Sequence, residues 1–260
     1  MIKLIVSDMD GTIVKSNLEI PEEIVSIFQS LIEKGIACGI ATGRSFHSIR
    51  NTFKEIADDM IIISENGAMV YYKGKVLKTT TFTKEIAKEI NEVTKKSDGV
   101  IAFSGVKKGY VFNGNDDVMH IMEHHFPDLE CVNSFEDIDD EFLEISVYFK
   151  NQNAGDSIDL FEPLREHVNA VSSGSDWIDI NVKGLNKGEG IKILQQKLGI
   201  NKEECMAFGD NLNDIELLQS VGESYAVANA HEQVKEIAKH IIGANNEESV
   251  LNELKKLYSL

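Results

Sequence analysis

Two carboxylates, Asp8 and Asp10, stand one residue apart near the start of the chain and are followed by Gly11 and Thr12. The preceding run from Lys3 to Ser7 is apolar and contains β-branched residues, which predicts a buried strand that ends at the acids. Two carboxylates this close repel each other unless a cation or a shared proton intervenes. The pair therefore indicates a metal site or acid–base chemistry. A solvated turn is the alternative, because Asp and Gly are common turn residues.

Three later stretches also place polar groups at the end of, or just beyond, an apolar run. They are Ala41-Thr42-Gly43-Arg44, Asn186-Lys187-Gly188 and Gly209-Asp210-Asn211-Leu212-Asn213-Asp214. Together with the first acids, they resemble the four motifs of the haloacid dehalogenase superfamily of phosphohydrolases, in the expected order. The likeness is strongest to the Cof-type branch, whose members carry a large cap between the second and third motifs. Ser64-Glu65-Asn66-Gly67-Ala68 is also similar to that branch, and the resemblance covers essentially the whole chain.

The first part of the chain alternates predicted strands and helices. Apolar runs at Ile36 to Ala41 and Met60 to Ile63 predict two more buried strands. Pro21 and the acids after it open one amphipathic helix, and Ser45 caps a second that we expect to reach about Ala57. This alternation predicts an α/β fold with a doubly wound, Rossmann-like parallel sheet, whose functional sites lie beyond the carboxyl ends of the strands.

From Ala68 the pattern changes to adjacent strand-like runs with two or three helices, which predicts a separate α+β unit. Helix and strand alternation returns at Lys187, so the α/β core is discontinuous in sequence. We expect residues 1–81 and 184–260 to form the core and residues 82–183 to form an inserted α+β cap.

Other patterns of the inserted segment carry weaker expectations. Ser157 to Val168 is predicted to be helical. The acid run from Glu136 to Glu141 lacks the Gly and terminal Glu of a calcium loop, so we interpret it as a solvated loop. His120 and His124 have a spacing that can chelate zinc, but no third ligand is evident, and we interpret them as surface or cap-interface residues.

The resemblance implies an aspartyl-phosphate mechanism at the first and last motifs. Asp8 would be the nucleophile that takes up the phosphoryl group. Mg²⁺ would be held by the Asp8 side chain, the Asp10 backbone carbonyl and Asp210, an oxygen ligand set that suits this ion. Asp10 would protonate the leaving oxygen and later activate water, so that one group acts first as acid and then as base.

The remaining motif residues would bind the phosphoryl group or support the metal site. Lys187 would be a point charge on the phosphoryl group, and a cation at a helix start opposes the helix dipole, which calls for a functional reason. Thr12 would support the metal ligands, Asp214 would partner either the metal or Lys187, and Arg44 would contact either substrate or a surface acid. The residues implied to contact phosphate or substrate are Met9, Thr42, Gly43, Arg44, Asn66, Lys187 and Asn213.

Composition limits the partners and the compartment. A net charge of −17, with no Lys/Arg-rich run, disfavours nucleic acid and anionic membranes. The three cysteines, Cys38, Cys131 and Cys205, are far apart, and we interpret them as buried thiols of a reducing cytoplasm. The first residues resemble a core strand rather than a leader, and no apolar run reaches transmembrane length, so we expect a soluble, unprocessed cytoplasmic protein.

The family resemblance, with these residues in place, implies a Mg²⁺-dependent phosphatase that hydrolyses small phosphorylated metabolites, such as a sugar phosphate or a phosphorylated cofactor. A phosphomutase or phosphotransferase with the same core and cap is the enzymatic alternative. A noncatalytic protein that binds a phosphorylated metabolite is the other alternative, although a binding protein has no need of a nucleophile. The sequence does not specify the substrate, the cap residues that contact it or the oligomeric state.

Overall fold

The computed structural model describes residues 1–112, 116–125, 128–173 and 175–260. These residues divide into two compact units. The first unit combines Met1–Lys78 with Asn186–Leu260, and the second unit is Thr79–Leu185. The second unit is thus an insertion in the first. The assignment of residues 82–183 as a cap domain stays a prediction.

The strands and α-helices are numbered in chain order. The strands are β1 (Leu4–Ser7), β2 (Ala37–Ala41), β3 (Ile61–Ser64), β4 (Met69–Tyr72), β5 (Lys75–Thr79), β6 (Val100–Gly105), β7 (Gly109–Phe112), β8 (Leu129–Val132), β9 (Phe142–Tyr148), β10 (Val168–Ser172), β11 (Trp177–Val182), β12 (Cys205–Gly209), β13 (Glu223–Ala226) and β14 (His240–Ile241). The helices are α1 (Glu23–Glu33), α2 (Phe46–Thr52), α3 (Lys84–Thr94), α4 (Asp116–His125), α5 (Ala154–Ser157), α6 (Lys187–Leu198), α7 (Ile215–Gln219), α8 (Glu232–Ile237) and α9 (Ser249–Tyr258).

The larger sheet has the strand order β14-β13-β12-β1-β2-β3-β4-β5 among the described residues. Its strands from β14 to β3 are parallel, and β4 joins β3 in antiparallel orientation. The central strands β1, β2 and β3 are buried along their whole length, which explains why each is a continuous apolar run rather than an alternating one. The predicted α/β core with a doubly wound parallel sheet is confirmed.

The register of the larger sheet brings three strand ends together. Ser7 at the end of β1 lies beside Ile40 of β2 and Phe208 of β12. Since parallel strands end at the same edge, the residues that follow these strands emerge side by side. This edge carries the first, second and fourth sequence motifs.

Helix α2 is shorter than expected. Ser45 caps it as predicted, with its hydroxyl accepting the N–H of Ser48 at 3.3 Å, but the helix ends at Thr52 and not near Ala57. The following residues form turns that bury Phe53 and Ile56, and Phe53 stacks on Phe28 of α1 with ring centroids 6.4 Å apart. Packing of these side chains overrides the helical periodicity.

The second unit contains the smaller sheet, with the order β10-β11-β9-β6-β7-β8 among the described residues. Its neighbours are antiparallel except for the parallel pair β7 and β8. An apolar cluster that includes Phe103, Ile145 and Ile180 forms its core. This is the expected α+β composition. Strands β8 and β10 were not predicted from the sequence.

The helix predicted for Ser157 to Val168 is wrong. The structure has the short helix α5 there, followed by a 3₁₀ segment at Ile158–Leu164, and β10 begins at Val168. Pro163 lies inside this segment and lacks a backbone N–H, so a regular α-helix cannot continue through it without losing a hydrogen bond.

The acid run from Glu136 to Glu141 is only partly solvated, because Asp140 is buried. Its carboxylate accepts the backbone N–H of Lys107 at 2.9 Å and of Glu141 at 2.8 Å, and the hydroxyl of Tyr110 at 3.1 Å. Burial beside the Asp140 carboxylate raises the pKa of Tyr110 well above its usual value. Asp140 therefore holds the β6–β7 turn.

The cysteine prediction needs one correction. Cys38 and Cys205 are buried, but Cys131 lies exposed on β8. Burial raises the pKa of the Cys38 thiol to about 12, so that its thiolate is scarce at neutral pH. No helix among the described residues is long and apolar enough to cross a bilayer.

This difference in exposure predicts one reactive thiol in the folded protein. With 5,5′-dithiobis(2-nitrobenzoate), about one thiol per chain should react rapidly in the native state and all three after unfolding in guanidinium chloride. Cys131→Ser should remove the fast phase, whereas the matched control Cys205→Ser should retain it. Rapid reaction of two or three thiols in the native protein would contradict this assignment.

Candidate active site

Four segments of the first unit bring together residues of all four sequence motifs. Asp8 directly follows β1, Thr42 directly follows β2, and Asp210 directly follows β12. Lys187 is the first residue of α6, whose N-cap Asn186 accepts the N–H of Glu189 through its side chain at 3.1 Å. The site is thus built at the carboxyl edge of the larger sheet, as the sequence predicts for an α/β fold.

Lys187 is the centre of a buried group of charges. Its Nζ lies 2.6 Å from Asp8 Oδ1 and 2.6 Å from Asp214 Oδ1, and its side chain is 0% exposed. Burial opposes the charge on Lys187, but the carboxylates of Asp214 and Asp8 outweigh it and raise the lysine pKa, so that the ammonium form persists. The two aspartates therefore compensate a cation that would otherwise be unfavourable at a helix start.

In contrast to Lys187, Asp8 and Asp210 have surroundings that disfavour their charged form. Burial, followed by the charge of Asp214, raises the pKa of Asp8 well above its usual value, and Lys187 offsets this only in part. Burial also raises the pKa of Asp210, although the Thr12 hydroxyl donates to its Oδ1 at 2.8 Å. More negative charge is gathered here than one lysine balances, and this favours an additional cation.

The carboxylate of Asp214 has its partners within the protein. Oδ1 accepts from Lys187, while Oδ2 accepts the backbone N–H of Asp210 at 3.0 Å and of Asn211 at 3.1 Å. The two possibilities left open by the sequence were the metal and Lys187. The structure pairs Asp214 with Lys187 and shows that it also fixes the loop that carries Asp210.

The acid cluster can hold a divalent metal ion. Among the described residues, Asp8, Asp210 and Asp214 form the group whose ligand atoms all lie within 4.8 Å of one another. Carboxylate oxygens are the ligands that hard cations such as Mg²⁺ prefer. Because Asp214 already accepts from Lys187 and two backbone amides, Asp8 and Asp210 are the better candidates for metal ligands.

The side chain of Asp10 pairs with Arg44. Arg44 Nε lies 2.8 Å from Asp10 Oδ2, and Nη2 lies 2.5 Å from Oδ1, which is a bidentate arrangement. The hydrogen bond to Asp10 raises the pKa of Arg44 further above its already high value. Of the two partners that the sequence allowed for Arg44, the structure shows an acid, and this acid is the predicted general acid and base. The Asp10 side chain is about half exposed.

Several of the residues predicted to bind phosphate lie close to one another, apart from the charged cluster around Lys187. The Thr42 hydroxyl accepts the N–H of Arg44 at 3.1 Å, and Asn213 Nδ2 donates to Asn66 Oδ1 at 3.1 Å. A Cβ placed on Gly43 would lie 3.3 Å from Asn66 Nδ2, so these two residues are close neighbours. Phosphate binding by this group stays a prediction, as does binding by the backbone N–H of Met9, whose side chain is buried.

Several supporting residues were not identified from the sequence. Gly11 has φ = +83°, and a Cβ there would lie 2.4 Å from Asp210 Oδ2, so a larger residue would displace that carboxylate. Asn229 Nδ2 donates to the Gly11 carbonyl at 2.8 Å, and Asn229 Oδ1 accepts the N–H of Asn245 at 2.9 Å. Gly11 could have been found from the Asp-x-Asp-Gly pattern. No local sequence pattern around Asn229 or Asn245 indicates that they support the site.

A parallel α/β sheet with buried aspartates and a buried lysine at its carboxyl edge defines an enzyme-type active site. The sequence profile of the haloacid dehalogenase-like hydrolase family matches residues 5–254. The 5-amino-6-(5-phospho-D-ribitylamino)uracil phosphatase of Escherichia coli K12 is 30% identical over 98% of this chain and 96% of its own length. The HMP-PP phosphatase of Klebsiella pneumoniae is 28% identical over 93% of this chain and 89% of its own. The crystal structure of SMU.1108c from Streptococcus mutans has a TM-score of 0.85 at 30% identity and covers 100% of both chains.

The chain therefore belongs to the haloacid dehalogenase-like hydrolases, which confirms the resemblance carried by its motifs. It is an enzyme of the phosphatase class, a phosphoric monoester hydrolase. Membership in this family implies a divalent metal ion, and the oxygen ligands of the acid cluster fit one.

Proposed function

We propose that this enzyme is a Mg²⁺-dependent phosphatase that forms an aspartyl phosphate on Asp8 and acts on small phosphorylated metabolites. The observation that carries the proposal is the buried contact of Lys187 with Asp8, beside Asp210. A buried carboxylate next to a cation and a candidate metal site has the features of a nucleophile for phosphoryl transfer. A bound Mg²⁺ would neutralise charge on the phosphoryl oxygens and would be held by Asp8, Asp210 and the Asp10 backbone carbonyl.

In the first step, an Asp8 carboxylate oxygen forms a bond to phosphorus while the bond from phosphorus to the leaving oxygen breaks. Asp10 gives its proton to the leaving oxygen, so the product leaves as an alcohol. Lys187 provides positive charge beside Asp8 as the phosphoryl group arrives. Arg44 donates to both oxygens of the Asp10 carboxylate, so one of these two hydrogen bonds opens when Asp10 carries the proton.

In the second step, Asp10 removes a proton from water as the water oxygen forms a bond to phosphorus. The bond between phosphorus and Asp8 then breaks, which releases inorganic phosphate and restores the carboxylate. Thr42, Gly43, Asn66, Asn213 and the Met9 backbone are the proposed contacts for the phosphoryl oxygens.

Metal removal gives a direct test. EDTA should abolish hydrolysis of p-nitrophenyl phosphate and excess Mg²⁺ should restore it. Ca²⁺ should fail, because its longer and less regular coordination misplaces the phosphoryl group. Asp210→Asn should raise the Mg²⁺ concentration needed for half-maximal activity by about tenfold or more. The exposed Asp59→Asn is the matched control and should leave it unchanged. Full activity in excess EDTA would refute metal dependence.

The substrate class is proposed as a sugar phosphate or a phosphorylated cofactor. The Escherichia coli relative is named for a phosphoribityl compound, which is of this kind. A panel of phosphorylated metabolites assayed with Mg²⁺ should reveal a preferred ester. With that ester carrying a ³²P-labelled phosphoryl group, release of the label as free phosphate would support hydrolysis. Transfer of the label to a second metabolite would support the mutase or phosphotransferase alternative. Stoichiometric binding without turnover would support a binding protein.

We further propose that the enzyme works in the cytoplasm without nucleic acid or membrane partners. Three free cysteines suit a reducing compartment. The net charge of −17 opposes binding to polyanions.

A further inference from the structure

The turn that follows β3 has an unusual backbone conformation. Three consecutive residues have positive φ: Glu65 at 43°, Asn66 at 55° and Gly67 at 107°. Glycine adopts such angles readily, but for other residues they are strained and persist only where the surroundings impose them. A Cβ on Gly67 would lie 2.4 Å from the Asn186 carbonyl oxygen, so the close approach of α6 requires glycine there. The conformation of Glu65 needs a separate explanation.

Glu65 connects this turn to the start of α2. Its side chain is 0% exposed, and its Oε1 accepts the backbone N–H of Phe46, the first residue of α2, at 3.0 Å. A carboxylate is favoured at this position because the first N–H groups of a helix have no partner within the helix. A residue that exposed its side chain at position 65 would leave the Phe46 N–H without this acceptor.

Two backbone hydrogen bonds complete the connection. The N–H of Glu65 donates to the carbonyl of Arg44 at 3.1 Å, and the N–H of Asn66 donates to the carbonyl of Thr42 at 3.0 Å. The segment from Thr42 to Phe46 is therefore held to the turn at three points, two in the backbone and one through a buried carboxylate. The same turn presents Asn66, which accepts from Asn213.

We propose that Glu65 is a positioning residue for the phosphoryl-binding group, which consists of Thr42, Gly43, Asn66 and Asn213. Its buried carboxylate holds the start of α2 against the turn and so sets the backbone of Thr42 and Gly43 relative to Asn66. Glu65 acts through these residues and is not assigned a contact with substrate. The inference rests on the proposed function, because it presupposes that this group receives the phosphoryl oxygens.

The test compares Glu65→Ala with Glu65→Gln. Alanine removes the acceptor of the Phe46 N–H, whereas glutamine has nearly the same shape and keeps one carbonyl oxygen in place of Oε1. Glu65→Ala should weaken binding of inorganic phosphate by about tenfold, measured by calorimetry with Mg²⁺ present and by competitive inhibition. Binding would then have to order the segment from Thr42 to Phe46, at a cost comparable to one lost hydrogen bond to a charged group. KM should rise by a similar factor, kcat should fall less, and Glu65→Gln should recover most of the affinity.

Glu247→Ala is the matched control. Glu247 is exposed and accepts the N–H of Ala244 at 3.1 Å in the same unit, so it is a similar local carboxylate-to-amide contact away from the four motifs. This variant should retain the affinity for phosphate. If Glu65→Ala does not fold, Glu65→Asp retains the charge but shortens the side chain by one methylene, and it should show the same weakening to a smaller degree.

The outcomes separate the two proposals. A wild-type protein that neither hydrolyses esters nor binds phosphate would overturn the proposed function itself. A wild-type enzyme that does both, with unchanged phosphate affinity and KM in folded Glu65→Ala, would overturn only the role of Glu65. Loss of stability in Glu65→Ala with unchanged phosphate binding would likewise show a merely structural role.

Discussion

Asp8→Asn should form neither a phosphoenzyme nor product with any ester. The substitution keeps the size of the side chain but removes the nucleophilic carboxylate, so the first step has no acceptor for the phosphoryl group. We expect kcat to fall by about 10⁴-fold or more at saturating Mg²⁺. Acid quenching after incubation with a ³²P-labelled ester should recover labelled protein from the wild type and none from this variant.

Asp10→Asn is the companion variant, because it removes only proton transfer. An alkyl phosphate must release a strongly basic alkoxide and needs that proton, whereas p-nitrophenolate leaves with little help. Rapid mixing of Asp10→Asn with p-nitrophenyl phosphate should release a burst of about one p-nitrophenol per active site. Slow turnover should follow, because hydrolysis of the aspartyl phosphate still lacks its base.

An alkyl ester should give no burst with Asp10→Asn. The pair of variants thereby distinguishes two acids that stand one residue apart in the same motif. A burst from Asp8→Asn, or normal turnover in both variants, would show that the nucleophile or the mechanism is assigned wrongly.

Lys187→Met should both destabilise the folded protein and inactivate the enzyme. Methionine preserves most of the side-chain length but leaves the carboxylates of Asp8 and Asp214 without the cation that contacts both at 2.6 Å. Breaking a buried ion pair by removing one partner costs about 3–5 kcal/mol. The free energy of unfolding in urea, measured in EDTA, should fall by this amount, and kcat in Mg²⁺ should fall by about 10²-fold or more.

The double variant Lys187→Met with Asp214→Asn tests the cause of the destabilisation. Removal of one uncompensated carboxylate should restore part of the stability but no activity, so the two effects on stability should be non-additive. Lys192→Met is the matched surface control on the same helix. Lys192 pairs with Glu189 at 2.7 Å while both side chains remain exposed, and its loss should cost about 1 kcal/mol or less. An equal free energy of unfolding for Lys187→Met and the wild type would contradict the proposed charge balance.

Much of the first unit could be predicted because its signals are local. Buried parallel strands are continuous apolar runs, and the polar motifs follow them directly, so the positions of Asp8, Thr42 and Asp210 at strand ends were evident from sequence order. Ser45 identified a helix start because N-cap chemistry depends on the next three residues.

The errors arose where distant packing or a single residue overrode a local pattern. Helix α2 stops early because Phe53 packs on Phe28, and Pro163 replaces the predicted helix by a 3₁₀ segment. Asp140 is buried in an acid run because two amides and a tyrosine hydroxyl converge on it. Composition favours a solvated loop for such a run, and only the contacts reverse that expectation.

The sequence by itself determined the fold class, the order of the motifs and the residue types available for phosphoryl transfer. The tertiary structure decided which of those residues are partners. Lys187 meets Asp8 across 179 positions of sequence, Asp214 faces that lysine, and Arg44 takes Asp10. Glu65 likewise reaches the start of α2 only through a left-handed turn. Such choices depend on which strand ends share an edge and on the electrostatic balance of buried charges, and both are set by contacts between residues far apart in the chain.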